Sequence, residues 1–366
     1  MGNQRTFASM AWNGKGKVTR RERFLAEMDA VIPWPRLARL IEPHYPKAGQ
    51  GRQPLGLEKM LRIYFLQQWF NLSDPQAEDA IYDSESMRRF ARVELGEEAV
   101  PDETTILRFR HLLEKHGLTQ AIFNSITGLL EERRLLLRSG TIVDATIIAA
   151  PSSTKNASAT RDPEMKQTRK GRNWHFGMKL HIGADKRGLV HTVRATAASV
   201  ADITQLPDLL HGQERELFGD QAYWKEDDRE FLEAWGVRYR INRRPTSQRP
   251  LRERWRMINR ARSRTRARGE HAFRVVKQLW GFVKVRYRGL AKNLARAQTM
   301  FALANLVYPL RTPQKGRSLG ASARSNLDRR RSWESRMRRA YIRGAQPERS
   351  TEPPQHGELE LTCKEG

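Results

Sequence analysis

Three carboxylates in this 366-residue sequence sit where local context only half explains them. Asp144 interrupts Thr141-Ile142-Val143-Asp144-Ala145-Thr146-Ile147-Ile148, a β-branched run suited to a central strand. An acid flanked by Ile142, Val143, Ile147 and Ile148 is costly to bury unless a cation or hydrogen bonds meet it. Asp220 ends a second strand-like run at Gly219-Asp220-Gln221, where ordinary turn chemistry is the plainer explanation. Glu270 falls in a helical stretch with Arg266 and Arg274 at i−4 and i+4, a spacing that also makes solvated ion pairs. Arg266, Glu270, Phe273 and Lys277 recur at steps that return to one helix face. A carboxylate bracketed by cations on one stripe can hold a metal while its neighbours grip phosphate; a surface ion-pair ladder is the alternative. If the three acids converge, their oxygens suit Mg²⁺, which keeps several of its waters. Two such ions would clamp the attacking and leaving oxygens of an in-line phosphodiester displacement.

Convergence demands a particular set of elements. Strand patterns at Thr141–Ile148, Trp174–Ile182 and Gly188–Ala195 are followed by a helix at 201–211, a strand at Glu216–Gly219, a helix at Lys225–Trp235 and a strand at Val237–Ile241. Helices near Arg264–Gly281 and Leu290–Leu310 close the region. That order is the one a ribonuclease H-like α/β domain with a mixed sheet requires. It makes the strands of Asp144 and Asp220 neighbours and lays the helix of Glu270 across them. His175, Lys179 and His181 alternate on one face of the second strand. One of them could extend the site, although a histidine at a sheet edge is more often structural.

Ahead of this region, 57–137 is helical. Leu57, Met60, Leu61, Tyr64, Phe65 and Trp69 recur at helical spacing, Ser73-Asp74-Pro75 supplies a cap, Ser84 and Asp102 mark further starts, and 121–137 is amphipathic. This predicts an all-α domain before the sheet domain. The expected divisions are an N-terminal, partly helical arm at 1–56, a helical DNA-binding domain at 57–137, a catalytic domain at 138–312 and a disordered basic tail at 313–366.

Charge narrows the partner. Lys and Arg total 67 against 41 Asp and Glu, a formal +26, which points to a polyanion. Residues 238–268 hold thirteen Arg and one acid, Glu253, and so supply +12 of that excess. With Tyr239 and Trp255 among them, they suit a DNA backbone and an unpaired base. Arg252, Arg254 and Arg256 are the representative DNA-binding candidates there. The single cysteine, Cys363, excludes an internal disulfide framework or a Cys-based zinc site. No apolar run approaches the ~20 residues of a membrane span, so a cytoplasmic protein without a membrane partner is expected.

The acids together with several long motifs resemble the DDE transposases of bacterial insertion sequences, and the surrounding text is similar to the insertion-sequence-five group. The motifs include Met60-Leu61-Arg62-Ile63-Tyr64-Phe65-Leu66-Gln67-Gln68-Trp69, Val100-Pro101-Asp102-Glu103-Thr104-Thr105-Ile106, Gly140-Thr141-Ile142-Val143-Asp144-Ala145-Thr146, Arg161-Asp162-Pro163-Glu164-Met165, His175-Phe176-Gly177-Met178-Lys179 and Arg286-Tyr287-Arg288-Gly289-Leu290. The likeness covers about residues 4–311. It departs from the family at Ala222 beside Tyr223, where Gly is frequent, at Ser263, where the wider group has Tyr, and at Gly269-Glu270-His271-Ala272. A Gly inside a helix costs about 1 kcal/mol against Ala.

The resemblance implies binding to the terminal inverted repeats of a mobile element, followed by metal-dependent strand cleavage and transfer. Water would cleave at an element end, and the freed 3′-OH would attack target DNA, in both steps without a covalent enzyme intermediate. Asp144, Asp220 and Glu270 would be the catalytic and metal-binding residues, with two Mg²⁺ ions (Mn²⁺ as a substitute). Arg266 and Lys277 would bind phosphate, and His175, Lys179 and Tyr223 are further site candidates. Double-stranded DNA, as element ends and target, is the implied partner, engaged by a homo-oligomer and nucleoid-associated when bound. A transposase-derived DNA-binding protein without activity, and a nuclease acting on RNA–DNA hybrids, are the competing readings.

Overall fold

The computed structural model describes residues 14, 16–50, 53–95, 99–155, 160–243 and 253–311. Arg252 and the 313–366 tail lie outside them. Among the described residues the sheet is preceded by the α-helices α1 (Arg20–Val31), α2 (Trp34–Ile41), α3 (Leu57–Phe70), α4 (Asp74–Asp83), α5 (Glu85–Ala91), α6 (Glu103–Lys115) and α7 (Leu118–Glu132). Local chemistry sets their starts. Thr19 with Glu22, and Ser73 with Gln76, form reciprocal capping boxes, and the Asp102 side chain accepts from the Thr105 N–H at 2.7 Å. α3 is the axle of this region. Met60 to Trp69 are all buried, including Arg62, Gln67 and Gln68, so the helix is enclosed on every side rather than amphipathic. The arm also joins the core, since Leu25, Met28, Trp34, Leu37 and Ile41 of α1 and α2 pack in it.

The sheet contains β1 (Gly140–Ala149), β2 (Lys166–Lys170), β3 (Asn173–Asp185), β4 (Val190–Ala197), β5 (Glu216–Gly219) and β6 (Arg238–Ile241). Its order is β2-β3-β1-β5-β6, with β4 also paired to β3. β1 is antiparallel to β3 and parallel to β5, and β5 is parallel to β6, giving the mixed sheet expected. The short β2 is an addition that the sequence pattern did not predict; its Lys-Gln-Thr-Arg-Lys run has no apolar alternation to betray it. The helix expected over 201–211 is a 3₁₀ turn, Asp202–Gln205, followed by the short α8 (Leu206–Leu209). α9 spans Glu226–Ala234.

Helix α10 runs Glu253–Phe273 and continues as a π-helical turn, Arg274–Leu279, in place of the single α-helix expected from 264 to 281. α11 (Leu290–Arg311) binds the two regions together. It packs on α7 and on β4; Tyr64 and Thr299 hydroxyls are 3.2 Å apart, and Thr119 donates to Gln298 at 2.9 Å. One apolar core therefore passes from Leu25 through Ile182 to Val307, while a second, around Val143, Leu217 and Tyr239, fills the other face of the sheet.

Candidate active site

Register brings the first two acids level. β1 and β5 pair as Gly140↔Glu216, Thr141↔Leu217 and Ile142↔Phe218, so two residues further along Asp144 comes abreast of Asp220. Asp220 leaves the strand as the cap of the Gln221–Tyr223 turn and accepts from the Ala222 N–H at 2.8 Å. The turn role expected of it is present, and so is its position beside Asp144. Glu270 arrives from α10, which packs on β1 and β5.

Gly269 explains the closeness of that packing. A Cβ at this position would lie 3.0 Å from Cγ2 of Ile142, so the missing side chain lets the helix settle on the strand two residues from Asp144. The departure from the family at this position thus has a local packing reason.

The electrostatics are unbalanced toward negative charge. Asp144 is 9% exposed, and burial pushes its carboxyl up to about 6. The Arg266 guanidinium and the Ala145 N–H, at 2.9 Å, pull it down, while the charges of Asp220 and Glu270 push it further up. Arg266 spans two acids, with one nitrogen 3.7 Å from Asp144 and the other 2.7 Å from Glu270. Its Nε is buried and has no hydrogen-bond partner among the described residues. Lys277, turned by the π-helix, donates to Thr146 Oγ1 at 3.0 Å and to the Ile147 carbonyl at 2.9 Å, and burial lowers its pKa. Thr146 lies two residues from Asp144 on the same face, a contact that alternation along β1 could have suggested.

The remaining candidates separate by sheet face. β1 and β3 pair as Asp144↔Ile182, Ala145↔His181 and Ile147↔Lys179, so Lys179 and His181 stand on the face opposite Asp144. There Lys179 bonds the Val200 carbonyl at 2.7 Å and Asp202 at 2.9 Å, while His181 lies 2.8 Å from Thr196 Oγ1. His175, at the same parity of β3, pairs with Thr168. Burial, reinforced by the charges of Asp202, Asp144 and Asp220, pushes the pKa of Tyr223 well up, and its hydroxyl has no hydrogen-bond partner among the described residues.

In the Arg-rich window, Arg254 and Arg256 are exposed on α10, but other members are engaged internally. Arg262 donates to the Ile241 carbonyl and Arg268 to that of Lys186. Arg243 lies over both Trp224, at 5.7 Å, and Trp255, at 4.7 Å.

Two comparisons with known families bear on this arrangement. Residues 136–306 match the family described as Transposase DDE domain, and residues 13–112 match Transposase domain (DUF772). The two matches together support a DDE transposase. The sheet region is accordingly ribonuclease H-like in fold, and the Transposase domain (DUF772) match takes in α1 to α5 and most of α6.

DDE transposases generally use divalent metal ions. The donors present suit one: three carboxylates, oxygen only, with mutual repulsion that a cation would relieve. Among the described residues, no group of three or more His, Cys, Asp or Glu is close enough to hold an ion, and Arg266 supplies the positive charge between Asp144 and Glu270. No helix among the described residues is long and apolar enough to cross a membrane.

Proposed function

We propose that this transposase binds the terminal inverted repeats of an insertion sequence of the insertion-sequence-five group and cleaves and joins DNA at a site formed by Asp144, Asp220 and Glu270. The observation that carries this reading is the shared level of Asp144 and Asp220, with the helix of Glu270 packed against the same strand through Gly269. Divalent ions, two Mg²⁺ on this reading, would supply Lewis acidity to the scissile phosphate and lower the pKa of an attacking water. The protein's own part is positional. On this reading the three carboxylates would supply the negative charge, Arg266, now between Asp144 and Glu270, would turn to phosphate, and Lys277 would act from its place on β1 at Thr146 and Ile147. Exposed Arg254 and Arg256 would extend the positive surface along the DNA backbone, and Arg252 is a further candidate by sequence alone. The helical unit would read the repeats. We place its start near residue 20, because α1 and α2 share its core.

The test separates binding from chemistry. Asp144→Asn, Asp220→Asn and Glu270→Gln should each abolish cleavage of a supercoiled plasmid carrying both element borders, while gel-shift affinity for border DNA persists. Wild-type-level cleavage by Asp144→Asn or Asp220→Asn would remove this site from consideration. A wild-type protein that binds the borders and leaves them intact at every Mg²⁺ and Mn²⁺ concentration would support the inactive DNA-binding alternative.

A further inference from the structure

The hairpin formed by β2 and the start of β3 has no structural task that accounts for its composition. Residues 166–174 read Lys-Gln-Thr-Arg-Lys-Gly-Arg-Asn-Trp, with four cations, and no acid appears before Asp185. A tight turn joins the strands, with Gly171 at φ +62°, a left-handed conformation that favours glycine. Both faces of the ribbon are largely open to solvent, and Trp174 is 67% exposed, the most exposed large apolar side chain among the described residues. A solvated tryptophan on a basic two-stranded ribbon is poorly explained by packing and well suited to a base surface. The ribbon is also aimed. β3 runs past the end of β1, whose Ala149 pairs with Gly177, so residues 173–176 and β2 overhang the sheet end toward which β1 carries Asp144. Trp174 shares the parity of Ile182, the partner of Asp144, and its own partner is Arg169; all four side chains therefore lie on one sheet face. The pKa of Lys277 is lowered first by burial and then by the charge of Lys170, which lies within electrostatic range of it.

We propose that this hairpin is a DNA-contacting ribbon, seated in a groove of the duplex that leads away from the scissile phosphate, with Trp174 against the bases and Arg169, Lys170 and Arg172 on the backbone. A two-stranded ribbon fits the major groove, and charge complementarity favours a nucleic acid over any other macromolecule. Spacing gives the position. Trp174 precedes Ile182 by eight residues, at most about 27 Å of strand, or about eight base pairs of duplex. The inference rests on the DDE reading of the acids for its origin point, but not for the binding itself.

The test uses the full-length protein and a duplex spanning one element border, substituted with 2-aminopurine at successive positions. Trp174→Ala should lower affinity roughly 5- to 100-fold with an unchanged salt slope, and should abolish a fluorescence change centred about eight base pairs from the cleavage point. Trp174→Phe should restore most of the affinity. The joint replacement of Arg169, Lys170 and Arg172 by Ala should instead make the slope of log affinity against log salt shallower, by about 0.9 for each phosphate that is no longer neutralised. If wild type binds and cleaves while both variants bind like it, the ribbon faces solvent; the proposal fails and the DDE reading stands. If wild type cleaves but the fluorescence change appears elsewhere, the placement fails. A lowered melting temperature for Trp174→Ala, with normal binding by the triple variant, would assign the tryptophan to packing and overturn the proposal. A wild-type protein that retains no duplex removes both readings together.

Discussion

Two buried charges in this molecule are treated in opposite ways. Arg62, at the centre of the helical region, is fully buried and fully answered. It donates to Glu58 at 2.9 Å, to Asp29 at 2.6 Å and to the Phe90 carbonyl at 2.9 Å, and it lies 4.0 Å over the Trp34 ring. Asp144, at the centre of the sheet, is also buried but has one backbone donor and one distant guanidinium, and the other charges acting on it are acids. A buried charge with a complete set of partners is part of the scaffold. One left short of opposite charge, beside others of its own sign, is a place where a cation or a substrate completes the balance.

Variants can break or sharpen that contrast. The largest expected effect is that of Asp144→Asn on catalysis. Cleavage should fall at least about 10²-fold, since a proposed metal ligand is removed, while the melting temperature holds or rises because a poorly paired charge has been neutralised. A melting temperature that drops sharply would mean that Asp144 is a structural acid. Next comes Arg62→Ala, which leaves Asp29 and Glu58 without their partner and a void beside Trp34. It should cost about 3 kcal/mol or more in denaturant unfolding; unfolding at wild-type denaturant concentrations would show that the pairing contributes little.

Gly269→Ala tests the approach of helix to strand, with a smaller effect. The helix gains about 1 kcal/mol from Ala, but the added methyl meets Ile142 at 3.0 Å. Stability should change by no more than about 1 kcal/mol, with a clear loss of cleavage as Glu270 is displaced. Undiminished cleavage would leave Gly269 without a positional role. Smallest of all should be truncation to residues 1–312. The removed segment shows no apolar periodicity but carries twelve Lys and Arg, so cooperative melting should persist and only nonspecific DNA affinity decline slightly. Unfolding or aggregation of the shortened chain would mean that the segment around Trp333 to Tyr341 docks on the core.

Much of this was legible in the chain itself. Caps announced helix starts at Ser73 and Asp102 because the capping bond is local, and the strand pattern of 141–148 and 216–219 follows from β-branched and apolar runs. What periodicity missed had no periodic signal to give. β2 is polar throughout, and the π-turn after Phe273 changes the angular step, so the stripe that placed Lys277 beside Glu270 does not continue through it. Alternation correctly put His175, Lys179 and His181 on one face of β3, yet it could not say which face Asp144 used.

That last point marks the division between what the chain specifies alone and what folding adds. Composition pointed to a polyanionic partner, and an acid in an apolar strand, another at a strand end and a third in a basic helix were sufficient to nominate a site. Tertiary structure decided the rest. The parallel register of β1 and β5 sets Asp144 level with Asp220, the antiparallel register with β3 turns Lys179 toward Asp202, and the packing of α10 on β1 brings Arg266, already paired with Glu270 four residues on, to Asp144. Those are distances between residues far apart in sequence. They are fixed by strand pairing and helix packing, to which the local preferences of each segment contribute only in part.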